Sequence, residues 1–141
     1  MNVFVILVFM VFLHCFYDFH LQGILASMKQ RDWWQLQMDM QKDYKYKNDY
    51  KMALGVHAFE WAFFIMIPTL AYVIRMWDGF SMLAFRTVTI YICLLIANAC
   101  FHYAIDDLKA NDKTINLVED QLAHLLQVRF SLILWMGLVG W

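Results

Sequence analysis

Four histidines of this chain lie close in sequence to carboxylates, at spacings that fit one face of a helix. Three pairs are four residues apart: His14 and Asp18, His102 and Asp106, and Asp120 and His124. The fourth histidine, His57, is followed three residues later by Glu60. Positions four apart differ by only about 40° around an α-helix, so both members of a pair face one direction. Such pairs bind metals, relay protons or join helices by hydrogen bonds.

Four imidazoles with several carboxylates form a ligand set for a borderline divalent metal, with zinc preferred and manganese or iron as alternatives. The predicted ligands are His14, Asp18, His57, His102, Asp106, Asp120 and His124. A carboxylate one turn from a histidine can bind the metal itself or orient the ring. A metal-free polar network, a proton relay and coincidence stay open as other interpretations.

The elements that carry these residues are predicted to be membrane helices. The chain has 141 residues, of which 62% are hydrophobic and 18% aromatic, far from the composition of a soluble domain. Four stretches are long and apolar enough to span a bilayer, at about 2–22, 53–76, 81–105 and 115–140. The first has no basic residue before Val3 and is interpreted as a retained helix rather than a secretory signal. Cys15, Cys93 and Cys100 are interpreted as small buried hydrophobes.

The predicted fold class is an all-α membrane protein, a four-transmembrane-helix up-down-up-down bundle in a single domain over 1–141. The connection over 23–52 carries Trp33 and Trp34, which favour an interfacial helix, with a solvated connector as the alternative. Asp78-Gly79 is a turn signal. Eight Lys and Arg residues lie in the first and third connections, against two on the other side. The positive-inside rule then predicts a cytoplasmic location for these connections, with both termini on the outer side of a bacterial inner membrane.

This topology would bring the four paired histidines to one side of the membrane. Each lies near the cytoplasmic end of its predicted span, whereas His20 points away from His14 and is left out of the site. Polar stripes continue the pairs through Gln22 on the first span and through Asn98 and Lys109 on the third. Ionisable groups inside a membrane are costly unless they face the bundle interior and find partners. The pattern therefore predicts a polar cavity in the cytoplasmic half of the bundle.

Four segments resemble, in order, the motifs of a bacterial and phage membrane family catalogued as domain of unknown function 3307. They are HCFYDFHLQ from residue 14, ALGVHAFEW from 53, HYAIDDLK from 102 and VEDQLAHLL from 118. Besides the paired residues, the resemblance implies roles for Gln22, Lys109 and Gln121. The chain departs from the family where Trp61 stands in place of a further histidine and at the Asp106-Asp107 doublet. The family implies a fold and a polar constellation but no established reaction.

The predicted function is an intramembrane metal-dependent hydrolase, although whether the chain is an enzyme stays open. A divalent metal with one open position activates water, and Asp106 or Asp18 would take the proton. Lys109 would pair with a substrate phosphate or oxyanion, or simply snorkel to the headgroups. Gln22, Glu60, Asn98 and Gln121 would support the ligands by hydrogen bonds.

Expected partners are membrane lipids, an amphiphilic phosphoester or acyl substrate from the inner leaflet, with a small soluble cytoplasmic molecule as the alternative substrate, and a further copy of the chain. A near-neutral net charge predicts no nucleic-acid partner. Two functions of other classes remain: a phage or bacterial membrane regulatory protein with a structural His-Asp network, and a metal- or proton-handling protein. The second should carry polar residues across the outer half, which is almost wholly apolar here.

Overall fold

Helices are the regular elements of the part of the chain that the computed structural model describes, residues 2–37, 46–77 and 81–140. The first helix continues directly into a π-helical turn, Tyr17–Leu21. The α-helices are α1 Val3–Phe16, α2 Leu25–Met28, α3 Arg31–Gln37, α4 Asp49–Ile65, α5 Ile67–Arg75, α6 Met82–Ala110 and α7 Leu117–Val139. The predicted all-α class is confirmed within these ranges.

Three helical segments are long and apolar enough to cross a membrane: Val3–Leu21, Met82–Ala110 and Leu117–Val139. Helices α4 and α5 together meet the same criteria but are bent by 54°. The described residues therefore contain three candidate membrane spans, or four if α4 and α5 are one broken span. These helices are the signature of an integral membrane protein.

The second predicted span, 53–76, is not one continuous helix in the structure. Helix α4 begins earlier, at Asp49, and the break falls at Met66, just before Pro68. Proline has no N–H to donate and its ring clashes with the carbonyl four residues earlier, so it kinks or breaks helices. The Thr69 hydroxyl donates to the Met66 carbonyl at 2.7 Å and satisfies a group near the break. The hydropathy of the sequence does not predict this bend, because the apolar run is continuous across it.

Side-chain caps define the starts of the two long C-terminal helices. The Ser81 hydroxyl accepts from the Ala84 backbone N–H at 3.1 Å at the start of α6. Helix α7 begins with a capping box, in which Asn116 accepts from the Glu119 backbone and Glu119 accepts from the Asn116 backbone. Each pair satisfies backbone donors that a helix N-terminus leaves unpaired. The caps mark where α6 and α7, which carry His102 and His124, begin.

The packing of the helices encloses an apolar core. Helix α1 packs against α4 and α7, α4 packs against α6, and α6 packs against α7. Met10, Ile65, Met66, Val128 and Trp135 are fully buried within this core. Apolar side chains also cover much of the outer surface, as expected where helices face lipid.

The interpretation of the cysteines as buried hydrophobes is wrong. Cys15, Cys93 and Cys100 are all exposed and unpaired in disulfides. Apolar position in a sequence does not distinguish the interior of a membrane protein from its lipid-facing surface, because both surroundings are apolar.

The first connection contains two short helices, α2 and α3, at the position of the predicted interfacial helix. Trp34 is buried, and its Nε1–H donates to the Met28 carbonyl at 2.6 Å. Residues 38–45 of the same connection and the predicted Asp78-Gly79 turn lie outside the described residues. Helix α2 is the part that concerns the site, because the residue directly after it is Lys29.

Candidate metal site

The centre of the site is the imidazole of His102 on α6, and both of its nitrogens face another histidine. Its Nδ1 lies 3.2 Å from Nδ1 of His124 on α7. Its Nε2 lies 3.1 Å from Nε2 of His57 on α4. All three side chains are fully buried. Three helices thus deliver three imidazoles to one point, as the positions of these residues along the chain predict.

Asp106 lies one turn beyond His102 on α6 and contacts all three histidines. Its Oδ1 lies 3.2 Å from His124 Nε2, and its Oδ2 lies 3.1 Å from His57 Nε2. The predicted pair on the same helix is also close, with 3.7 Å between Asp106 Oδ1 and His102 Nε2. Asp106 is itself buried. One carboxylate is therefore shared among three histidines.

His14 and Asp18 approach this group from the first helix. Their predicted pairing has 3.8 Å between His14 Nδ1 and Asp18 Oδ2. Asp18 lies in the π-helical turn, a feature often found at functional sites. His14 Nδ1 accepts from Nε1 of Trp61 at 2.9 Å, and the Trp61 ring stacks on His102 with 4.1 Å between centroids. Trp61 thus packs against the cluster formed by His14, His57, His102 and His124, hereafter the histidine cluster.

Asp120 and Gln121 connect the start of α7 to the site. Asp120 Oδ1 lies 3.3 Å from His124 Nε2, and Asp120 Oδ2 accepts from Lys109 Nζ at 2.6 Å. Gln121 Nε2 donates to Asp18 Oδ2 and to Asp120 Oδ2, both at 3.1 Å. Gln121, implied only by the family resemblance, therefore bridges two carboxylates from different helices.

Four residues named from the sequence lie beside the cluster or away from it. Gln22 donates to the backbone carbonyl of Asp18, and Glu60 accepts from the Tyr17 hydroxyl at 2.6 Å. Asn98 accepts from Ser131 at 2.7 Å, one turn below His102. His20 is exposed next to the Phe16 ring, outside the site as predicted.

The ligand atoms are spaced closely enough for one ion. Two overlapping groups have all their ligand atoms within 4.8 Å of one another: Asp18, His57 and His102, and His102, Asp106 and His124. Each residue contributes one ligand atom to its group, and His102 faces His124 through Nδ1 but His57 through Nε2. His14 and Asp120 belong to neither group.

Buried atoms without a hydrogen-bond partner around these groups are consistent with metal binding. Among the described residues, buried atoms without a hydrogen-bond partner include His14 Nε2, His57 Nδ1, Asp18 Oδ1 and Asp120 Oδ1. Buried polar atoms are nearly always satisfied in native proteins, so each requires an explanation. Imidazole and carboxylate donors together suit zinc, manganese or iron, and the donor set does not select one of them.

Lys29 lies at the site, although the sequence analysis does not select it. Its Nζ donates to Asp106 Oδ2 at 2.5 Å and lies 3.1 Å from His57 Nε2. Its side chain is only 12% exposed. Lys29 is one of the eight basic residues of the first and third connections, and nothing in its spacing points to the site. The turn after α2, which folds the chain back over the helix ends, brings it there.

A polar pocket of about 380 Å³ leads from the surface to Asp106. The polar residues that line it are Gln22, Lys29, Gln30, Asp106, Lys109 and Lys113.

Comparisons of the chain with protein-family models, curated proteins and solved structures find no match. The resemblance to domain of unknown function 3307 therefore stays a prediction.

Proposed function

We propose that the protein is a membrane-embedded, metal-dependent hydrolase with its metal site at the floor of the polar pocket. The observation that carries this proposal is the convergence of His102, His124 and Asp106, with their ligand atoms within 4.8 Å. These three residues would hold the ion, with His57 directly beside them. Zinc is the first choice, with manganese and iron as alternatives.

A divalent metal bound here would polarise a phosphoryl or acyl oxygen and lower the pKa of water. The chain supplies the base. Asp18 has one oxygen held by Gln121 and the other without a hydrogen-bond partner, so its carboxylate can accept a proton. Asp106 is the alternative base if Asp18, His57 and His102 are the ligands instead. His14 and Asp120 would orient the neighbouring groups, as outer partners do around many metal sites.

Lys109 would stabilise negative charge that develops on the substrate. Its ammonium lines the polar pocket and pairs with Asp120, so it is held near the ligands rather than extended into solvent. The excess of Lys and Arg in the first and third connections supports a cytoplasmic location for this end of the molecule. An amphiphile from the inner leaflet, bearing a phosphoester or acyl group, is the substrate that fits such a location.

A metal-free polar network is the second candidate, and one contact favours it. Lys29 Nζ lies against both Asp106 and His57, so an ammonium can supply the positive charge that the carboxylate requires. In that case the His-Asp network joins the helices, and the protein acts as a membrane regulatory or proton-handling factor.

Hydrolysis assays of variants test the enzymatic proposal. Purified protein in a phosphate-free maltoside detergent is loaded with Zn²⁺ or Mn²⁺ and tested on phosphatidic acid and on p-nitrophenyl phosphate and acetate esters. We expect turnover that Asp18→Asn and His102→Ala reduce by at least about a hundredfold. The matched control is His20→Ala, which removes an exposed histidine outside the site.

Monodispersity and helix content of each variant are checked before the assay. Turnover that is equal in His102→Ala and in the unaltered chain would reject the proposed active site. Metal binding without turnover on any of these esters would reject this hydrolase activity and leave a metal-binding membrane protein.

A further inference from the structure

We propose that the polar pocket binds a phosphate group, with Lys29 and Lys109 as its main cationic ligands. This inference rests on the proposed function, because it names the substrate class of the same site. Two sources of the ligand share this chemistry: a free phosphate and the phosphomonoester headgroup of a lipid.

The first support is the composition of the pocket wall. Three ammonium groups and two carboxamides line it, against one carboxylate, Asp106. Each ammonium carries three N–H donors and each carboxamide carries two. Gln30 uses one of its donors on the Ala26 carbonyl at 3.0 Å, and Gln22 uses one on the Asp18 carbonyl. A wall rich in N–H donors is suited to an anion with several oxygens, and phosphate has this character.

The second support is the size and location of the pocket. Its volume of about 380 Å³ lies in the range of small-molecule sites. Its inner end is Asp106, which belongs to the candidate metal group. A phosphate in this pocket would therefore lie beside the metal, as a phosphoester must for hydrolysis.

The third support is the balance of charge, which depends on the metal. Each pocket lysine is paired with a carboxylate: Lys29 with Asp106, Lys109 with Asp120 and Lys113 with Asp32. If Asp106 binds a divalent ion, the metal neutralises the negative charge of the carboxylate, and Lys29 loses its ion-pair partner. A largely buried ammonium without a partner is costly. An anion entering the pocket supplies the missing charge.

Lys29 therefore has two roles that alternate. Without metal, its ammonium bonds to Asp106 and stabilises the carboxylate. With metal, the ammonium turns from Asp106 to the anion in the pocket. Phosphate binding should consequently be tighter in the metal-loaded protein than in the metal-free protein.

Equilibrium dialysis with radiolabelled inorganic phosphate tests this proposal. The full chain in maltoside detergent is loaded with Mn²⁺ and desalted, and its metal content is measured on the same sample. We expect saturable binding of one phosphate, weakened at least about tenfold in Lys29→Met and in Lys109→Met. Lys51→Met is the matched control, because Lys51 is an exposed lysine that does not line the pocket. Lys29→Arg should restore part of the binding, which shows that the charge rather than folding is responsible.

A second arm distinguishes the two sources. Nanodiscs of phosphatidylcholine, with and without phosphatidic acid, replace the detergent. Competition by phosphatidic acid for the labelled phosphate supports a lipid headgroup as the ligand, and binding unaffected by the lipid supports a free phosphate. No saturable phosphate binding in detergent together with no lysine-dependent retention of phosphatidic acid overturns the proposal. Equal binding in Lys29→Met, Lys109→Met and Lys51→Met overturns it as well.

Metal content separates this proposal from the proposed function. Normal metal content without phosphate binding would reject the pocket and leave the metal site. Lysine-dependent phosphate binding in a chain that takes up no metal would support the pocket and reject the metal-dependent hydrolase.

Discussion

Around Met66 and Trp135 the buried side chains are mostly apolar, whereas around His102 they are imidazoles and carboxylates. In the first region, stability comes mainly from close packing, although Nε1 of Trp135 is also buried without a hydrogen-bond partner. In the second region, each polar group needs a partner, and several atoms lack one. The apolar region is therefore a scaffold, and the histidine cluster is costly to bury unless it binds something.

The largest expected effect within the scaffold comes from Trp135→Ala. Trp135 is fully buried, and truncation of a buried tryptophan leaves a cavity that costs about 3 kcal/mol or more. Reversible unfolding in mixed micelles should show this loss of free energy of unfolding. Metal content should stay unchanged, because Trp135 contacts none of the candidate ligands by any described ring or hydrogen-bond contact. A loss of metal in a folded Trp135→Ala sample would show that the two regions are not separable.

Gln121→Ala should have the converse effect, weakening metal binding by about tenfold with little change in stability. Gln121 bonds to both Asp18 and Asp120. Its removal takes a donor from both carboxylates, although Lys109 still pairs with Asp120. Competition with a metal chelator of known affinity measures the change. Gln127→Ala is the matched control, since Gln127 bonds to Asn98 one turn below the cluster. Equal losses in the two variants would contradict a specific role for Gln121.

The sequence alone predicted much of the site because its signals are local. Spacings of four residues placed His14 with Asp18, His102 with Asp106 and Asp120 with His124, and the alternation of spans placed these pairs at one level. Lys29 could not be predicted, because it reaches Asp106 through a turn after α2 rather than through helix periodicity. Trp61 was noted as a departure from the family, but its stacking on His102 depends on the packing of α4 against α6.

The fold could also be predicted in part from local signals in the sequence. Hydropathy predicts long apolar helices, and the part of the chain that the structure describes has three such helices, or four spans if the pair around Pro68 is one span. The bend at Met66 depends on a single proline within an apolar run, and hydropathy is insensitive to it. The exposure of Cys15 could not be predicted because lipid-facing and buried positions have the same apolar neighbours in sequence.

Lys29→Met should increase metal affinity by about threefold. This effect is smaller than the effect of Gln121→Ala and has the opposite sign. The Lys29 ammonium bonds to Asp106 at 2.5 Å and so competes with a metal ion for that carboxylate. Because the ammonium and the metal ion are both positive, they repel each other at close range, and removal of the ammonium favours binding of the metal. The same chelator competition measures it, with Lys51→Met as the control. Weaker metal binding in Lys29→Met would contradict the competition.

The smallest effect should come from the exposed pair of Lys113 and Asp32. The Lys113 ammonium holds the pKa of Asp32 below its ordinary value, so any stabilisation is present at neutral pH and lost as pH falls through that lowered pKa. Both side chains are more than half exposed, and exposed pairs contribute little. Asp32→Asn should leave stability and metal content unchanged at pH 7. A measurable loss of metal content would show that this pair contributes to the metal site, and a loss of stability would show that it contributes more than an exposed pair should.

Elemental analysis by mass spectrometry of the desalted protein tests the central proposal most directly. The unaltered chain is compared with His102→Ala, which removes a residue from both candidate ligand groups, and with His20→Ala, which removes an exposed histidine. Near-stoichiometric zinc, manganese or iron in the unaltered chain and in His20→Ala, lost in folded His102→Ala, is the predicted result. Absence of metal from all three monodisperse samples, even after each ion is added back, would contradict the metal site and favour the metal-free network of Lys29, Asp106 and the histidine cluster.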